Sequence, residues 1–347
     1  MDRVRATDTS NDLAVYNDGA TVRAVYTRDG NIIHKGLPFV RTATAEDINA
    51  CNLFYSAYEG TMLHAVYTGD NWILGTNKKL SCQKSKWASK TTTFAQSFEN
   101  ALSKIYPSSQ YTTEQFMNDR LDQTKSYIFL VRAIEEERLV MPVDIEHPGA
   151  VLLATCTEPG VFNYMDLSTI PEFPRHVVYT KDDVGDNVCQ FIESQPYISG
   201  VIGIMPDGDV IRVSTPTYLE KLKVRGVLPS LELRALHLMN HARELDLLLN
   251  MFPDKLRPFM EVVYNQLDTF CKLYARCFVV SHSYRIFTSM QGPCEMLDKH
   301  FVNNVLRDLR HYRFKHDDNF QVIFETAIRE RFMRLPGTHK RRLLNEI

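Results

Sequence analysis

Apolar and polar positions alternate along the first two-thirds of the chain and recur every three to four residues in the last third. Ala20-Thr-Val-Arg-Ala-Val-Tyr26 alternates in the strand manner, turns at Arg28-Asp-Gly30 and resumes at Asn31-Ile-Ile-His34. Asp-Gly between two such runs is a strong hairpin signal, because the favoured two-residue turn needs a left-handed backbone that Gly and Asp tolerate. The phrase returns: Ala24-Val-Tyr-Thr-Arg-Asp29 and Ala65-Val-Tyr-Thr-Gly-Asp70 each lead into a turn and a second strand. Two copies are too few for a solenoid, so the pattern predicts two similar hairpins packed in one antiparallel sheet. The second is formed by Tyr58–Tyr67 and Trp72–Thr76 around Gly69-Asp-Asn71.

Further on, Phe94, Phe98, Ala101, Leu102 and Ile105 are spaced as one face of a helix that Pro107 ends. A short helix is expected over Thr113–Thr124. Buried strands follow at Ser126–Arg132, Leu139–Val143 and Val151–Thr157, with an acidic turn at Glu135-Glu-Glu-Arg138. Glu158–Asp186, holding Pro159, Pro171 and Pro174, reads as loop. Tyr197–Met205 and Asp209–Ser214 flank Pro206-Asp-Gly208 as a third hairpin.

Beyond Gly226 the period changes. Leu236, Met239, Ala242, Leu245, Leu248, Leu249 and Phe252 make one helical stripe, and Phe259, Val262, Val263, Phe270, Leu273, Tyr274, Cys277 and Phe278 make a longer one. Leu297–Tyr312 and Phe320–Ile328 add two more, with Pro253, Pro258 and Gly292-Pro293 as punctuation. Strands followed by helices predict an α+β fold: a mainly antiparallel domain over residues 1–228 and an all-helical domain over 229–347.

Composition narrows the function classes only a little. The 347 residues are 44% hydrophobic, and the net charge is −2. No whole-molecule positive field draws nucleic acid, so any such binding rests on local patches. The first residues lack the apolar core of a secretory signal, and no apolar run approaches a membrane span. Seven cysteines without a Cys-x-x-Cys pair point to free thiols in a reducing compartment. The expectation is an intracellular protein, in host cytoplasm, nucleus or virion, that does not engage a membrane.

Tyr58-Glu59-Gly60-Thr61 lies between two strands, where its plain reading is a bend with a solvated carboxylate. The order of features around it resembles the covalent nucleotidyltransferases, and most closely RNA ligases of the bacteriophage T4 type and their relatives in large DNA viruses. The resemblance covers roughly residues 20–230. In that family a Lys-x-Asp/Glu-Gly-Ser/Thr motif opens a hairpin, and its lysine takes AMP from ATP. Glu59-Gly60-Thr61 matches the end of that motif, and Lys84-Ser85-Lys86 is similar to a following basic segment. Phe129–Val140, with Glu137-Arg138-Leu139-Val140, is similar to the third element. Ser199-Gly200-Val201-Ile202 is similar to a Glu-Gly-Val-Val element, and Arg212-Val213-Ser214 with Tyr218 to a Lys-x-Lys element with a downstream tyrosine.

The departures fall on the chemistry. Ala57 stands where the nucleophilic lysine belongs, and a methyl group cannot attack a phosphate. Ser199 replaces a glutamate that helps hold the metal, and Ser214 replaces a lysine, while Arg212 keeps the charge. Neither Ile128 nor Leu130 supplies the third element's carboxylate. The resemblance therefore implies an RNA-ligase-like fold with degenerate catalytic positions Ala57, Ser199 and Ser214. Glu59, Gly60 and Arg212 are the remaining nucleotide-binding candidates. Lys78, Lys79, Lys84, Lys86 and Lys90 with Trp87 form a basic-aromatic segment suited to RNA or another single strand. The expected function is a catalytically inactive, nucleic-acid-binding or regulatory viral factor. One alternative is an active ligase using ATP and Mg²⁺, with Lys78, Lys79 or Lys84 as a displaced nucleophile. The other is a structural or interaction protein docking a partner through its helical domain.

Three weaker features complete the reading. His339-Lys-Arg-Arg342 reads as a solvated basic end before it reads as a nucleic-acid contact or nuclear signal. Arg307, Arg310, His311 and Arg313 lie among acidic Asp308, Asp317 and Asp318 as mutual salt partners. His237 and His241 are four apart but lack a third ligand, so they read as structural. There is no P-loop and no dinucleotide-binding glycine motif.

Overall fold

The computed structural model describes residues 6–345, apart from 11, 18–21, 87–91, 133–138, 143–148, 165–169, 207, 229, 282–300, 302–303, 306 and 308–319. The fold is α+β, and the chain forms two compact units, Met1–Glu220 and Lys221–Ile347.

Three sheets build the first unit. The first is a four-stranded meander, β1 (Asp8–Ser10), β2 (Leu13–Tyr16), β3 (Val25–Arg28) and β4 (Asn31–Lys35). The next two sheets draw on β5 (Arg41–Thr42), β6 (Leu53–Ala57), β7 (Thr61–Tyr67), β8 (Trp72–Thr76), β9 (Ser126–Val131), β10 (Ala150–Glu158), β11 (Val161–Asn163), β12 (Val178–Thr180), β13 (Gly200–Ile204) and β14 (Val210–Val213). They run β11-β10-β9-β7-β8 and β12-β6-β13-β14-β5. Neighbours are antiparallel except β14 and β5.

Strand β9 shows why its sequence lacks polar alternation. Every residue is buried, because both faces are covered. Tyr127, Phe129 and Val131 face the cluster containing Phe98 and Leu102 of α2 (Phe94–Ile105), while Ile128 and Leu130 pack with Val151 and Leu153 of β10. Burying Phe98 and Leu102 contributes roughly 1.5–3 kcal/mol each. Thr93 caps α2, its side chain accepting from Gln96 N while Gln96 bonds back to Thr93 N. The remaining helices of this unit are α1 (Ala45–Ala50), α3 (Thr113–Arg120), α4 (Lys181–Val184) and α5 (Val188–Ser194); α6 (Pro216–Arg225) carries the chain into the second unit.

That second unit holds α7 (Leu231–Leu238), α8 (Ala242–Met251), α9 (Pro253–Ser281), α10 (Phe320–Met333) and α11 (Gly337–Asn345). Its core draws on the apolar stripes anticipated from their spacing, among them Leu236, Leu248, Val263, Phe270 and Ile328, and adds Leu267; Val262, expected in the same stripe, is exposed instead. Leu297, Leu309 and Tyr312 lie outside the described residues, as do most of the charges between 307 and 318.

Several expectations are corrected. The two hairpins with the shared Ala-Val-Tyr-Thr phrase belong to different sheets: alternation dictates which faces are buried, not which strand lies alongside. The run expected as one strand over Tyr58–Tyr67 breaks at Tyr58–Gly60, where the chain leaves β6 for another sheet. No strand forms over the described part of Leu139–Val143, because the Val140 and Met141 amides donate to a side chain instead. The helix expected to Thr124 ends at Arg120, and the Asp122 carboxylate then accepts from Thr124 N and Oγ1. The expected loop Glu158–Asp186 contains β11, β12 and α4. One stripe over Leu236–Phe252 is two helices, and Pro258 lies inside α9 near its start, where it removes one backbone bond without ending the helix. The basic C-terminal run is helical, and His339, Arg341 and Arg342 are exposed as expected, but Lys340 is not. Lys340 is fully buried in it and donates to the Leu236 carbonyl at 2.9 Å, and burial pulls its ammonium down to about 8.

Candidate functional site

The residues that carry the ligase resemblance meet where β6 ends. Gly200 pairs with Ala57 and Val201 with Ser56, so β13 brings Ser199 against the strand end. Ser199 N and Ser199 Oγ both donate to the Ala57 carbonyl at 2.7 Å. β14 brings Arg212 to the same place: its Nη2 donates to Ser199 Oγ at 2.7 Å and its Nε to Ser214 Oγ at 3.0 Å. The guanidinium sits 5.6 Å from the Tyr218 ring centroid, and Tyr218 Oη donates to Glu59 Oε1 at 3.1 Å. Glu59 Oε2 accepts from the Val140 and Met141 amides, both at 2.8 Å.

Two glycines make this closure possible. A Cβ on Gly60 would lie 2.5 Å from the Val131 carbonyl oxygen, so the bend after Glu59 presses directly on β9. A Cβ on Gly200 would lie 2.2 Å from the Val213 carbonyl oxygen, and its φ of +154 is one that L side chains rarely adopt.

Burial and charge follow from this packing. Ala57, Ser199 and Tyr218 are all buried. Burial, then the Glu59 carboxylate, push the Tyr218 hydroxyl up to about 12. Burial and the neighbouring Arg212 cation both lower Arg23. Among the described residues, the hydrogen bonds of Arg212 go to neutral serine oxygens.

Such an arrangement does not fit covalent adenylation. Ala57 offers no amine, its carbonyl already accepts two donors, and Glu59 accepts three. Nor does it fit Mg²⁺: Ser199 Oγ, which the ligase resemblance would set at the metal-holding position, is engaged by Ala57 and Arg212. Among the described residues no group of three His, Cys, Asp or Glu side chains could hold a metal. Cys51, Cys82, Cys156, Cys189 and Cys271 are free thiols.

The basic segment is built separately. Thr76 Oγ1 accepts from Lys78 N and Lys79 N, and Leu80 N donates to Asp8 Oδ2 at 2.9 Å. Leu80 and Cys82 point inward, which leaves Lys78, Lys79, Lys84 and Lys86 exposed. Lys79 lies 3.7 Å from Asp8, whereas Lys78 and Lys84 have no carboxylate partner among the described residues. Trp87, Lys90, Glu137 and Arg138 fall outside the described residues.

No protein-family model matches the chain. The chain is similar to viral immediate-early proteins. Over 243 residues, 65% of its length and 60% of the relative's, it is 25% identical to immediate-early protein ICP-46 of Frog virus 3 (isolate Goorha). Over 90 residues, 26% of the chain and 19% of the relative, it is 36% identical to the immediate-early protein ICP-46 homolog of Invertebrate iridescent virus 3. The chain thus spans less than two-thirds of either relative. No helix among the described residues is long and apolar enough to cross a membrane.

A second polar cluster is formed by His34 and His64, which are both fully buried and follow no motif spacing. The available signal was a histidine set among apolar strand positions, which alone does not name its partner.

Proposed function

We propose that this chain is a viral regulatory factor of the immediate-early kind, acting inside the infected cell on an RNA-ligase-like frame that does not transfer nucleotides. On this reading it binds single-stranded nucleic acid through Lys78, Lys79, Lys84 and Lys86. The carrying observation is the occupancy of the site: the Ala57 carbonyl and the Glu59 carboxylate together accept five donors from the chain itself. A pocket so filled has neither the amine nor the free oxygens that phosphoryl chemistry requires.

Incubating the pure protein with α-labelled ATP and Mg²⁺ tests the catalytic half. The expected result is no protein label, and an acid-labile label on any lysine overturns it, the displaced nucleophiles included. Titrating short single-stranded RNA at rising salt tests the binding half. Each lysine that meets a phosphate steepens the salt dependence by about 0.7 unit on a single strand. Lys78→Glu with Lys84→Glu should remove most of that slope. A wild-type protein that shows no binding even at low salt overturns it in favour of a protein partner docking on the helical unit.

A further inference from the structure

Strands β4 and β7 belong to different sheets, and their buried histidines meet between them. His34 Nε2 lies 3.0 Å from His64 Nδ1. At one end His34 Nδ1 lies 2.7 Å from Ser126 Oγ of β9, and at the other His64 Nε2 lies 2.7 Å from Asn77 Oδ1. An amide oxygen only accepts, so His64 carries its proton on Nε2 and its Nδ1 receives the Nε2 proton of His34. His34 Nδ1 then accepts from the Ser126 hydroxyl. Three hydrogen bonds in series are thus satisfied with one proton on each ring, and both rings are neutral.

The surroundings hold them neutral. Tyr26 of β3 packs against both rings, with centroids 5.6 Å and 5.5 Å away, and the Gly36 backbone lies against His64. Among the described residues the polar groups touching the pair are Ser126, Asn77 and Tyr26, none of which is charged. Behind them stand the Cys156 thiol beside Ser126, and the Cys82 thiol and Asp8 carboxylate near Tyr26. A first proton therefore enters a fully buried site with no carboxylate at hand. A second would set two N–H groups against each other across the 3.0 Å gap. Burial accordingly pulls His64 down to about 4, and burial with the neighbouring His64 holds His34 well below the ordinary imidazole range.

The same cluster fixes the root of the basic segment. Asn77 is the residue before Lys78, and Tyr26 Oη donates to the Thr76 carbonyl at 2.6 Å. We propose that the His34–His64 pair is an acid-sensitive latch: its protonation releases the β1–β4 sheet from β7 and β9 and frees the basic segment at Asn77. The latch does not depend on the nucleic-acid reading, because it is read by backbone opening.

Its direction is set by the lowered affinity of the closed state for protons. The open state binds them with the ordinary imidazole value of about 6.5, so the latch holds above that pH and weakens as pH falls toward 4. Each histidine raises the opening constant about tenfold per pH unit in that window. The test is amide hydrogen exchange of the full chain by mass spectrometry at pH 7.5, 6.5, 5.5 and 5.0, corrected for intrinsic exchange. Peptides over residues 24–36 and 74–82 should open at least tenfold more at pH 5.5 than at 6.5, while a β13–β14 peptide stays better protected than both at every pH. A flat profile in the wild type overturns the latch, as does a β13–β14 peptide no better protected than these two, which would mark global acid unfolding. His64→Gln, which keeps a hydrogen-bonding side chain but does not titrate, should show a shallower rise. An undiminished rise in that variant also overturns the proposal, and the wild-type profile decides alone if the variant does not fold.

Discussion

The first unit holds two polar clusters at sheet junctions, one half-buried and one fully buried, and they meet the cost of leaving water in opposite ways. At the end of β6, charges are kept: Glu59 accepts three hydrogen bonds and Arg212 rests on two serines and a tyrosine ring. Between β4 and β7, charge is given up: two imidazoles share one chain of bonds whose other members are neutral. Unpaired burial of an ion is far more costly than burial of a satisfied neutral group, so each solution is stable only in its own form. The charged cluster is therefore vulnerable to loss of a side chain, and the neutral one to gain of a proton.

The largest loss should follow from placing a lysine at position 57, where the ligase resemblance would put one. Ala57→Lys places an ammonium at a position 2% exposed, beside a carbonyl already bonded twice. It should cost about 3–5 kcal/mol, measured by urea unfolding, as expected of an uncompensated buried charge. A variant with wild-type stability that takes label from ATP would show that the site opens. Glu59→Ala comes next. It leaves two backbone amides and the Tyr218 hydroxyl without their acceptor, and should cost about 2–3 kcal/mol. Glu59→Gln keeps one acceptor oxygen and should cost less; a Gln variant that melts with the wild type would mean that the carboxylate's second oxygen is idle.

Much of this geometry was legible in the sequence, for reasons that also mark where it stops. Asp-Gly turns and the change from alternating to three- and four-residue spacing mark real hairpins and a real change to helix. Ala57, Glu59, Ser199, Arg212, Ser214 and Tyr218, far apart in sequence, do converge. Sheet membership was not legible, because an alternating strand can join any sheet that offers it a buried face. Leu139–Met141 has the apolar character of a strand, and only the fold reveals that its amides cap Glu59. Lys340 sits in a run of cations that composition alone assigns to solvent, yet the helix turns it onto the Leu236 carbonyl. His34 and His64 are 30 residues apart on strands of different hairpins, so no spacing rule joins them.

The neutral cluster should reveal itself in the pH dependence of stability. Both histidines bind protons more weakly in the closed fold, so stability is fully present above pH 6.5 and falls as pH drops toward 4. Each contributes a slope of up to about 1.4 kcal/mol per pH unit in that window. Melting temperatures from pH 7.5 to 5 should decline more steeply for the wild type than for His64→Gln. Parallel curves would move the acid sensitivity to other groups.

The smallest effect on stability should come from the largest change of charge. Lys78→Glu with Lys84→Glu inverts two exposed cations that have no carboxylate partner among the described residues. Exposed substitutions of this kind usually change stability within about 0.5 kcal/mol, because water solvates either sign equally well. The segment's shape comes from groups the variant leaves intact: the Thr76 hydroxyl, the Asp8 carboxylate, and buried Leu80 and Cys82. The expected signature is therefore an unchanged melt with single-strand binding lost at moderate salt. A melt lowered by several degrees would show instead that these lysines hold the fold, and would join the basic segment to the structural clusters beneath it.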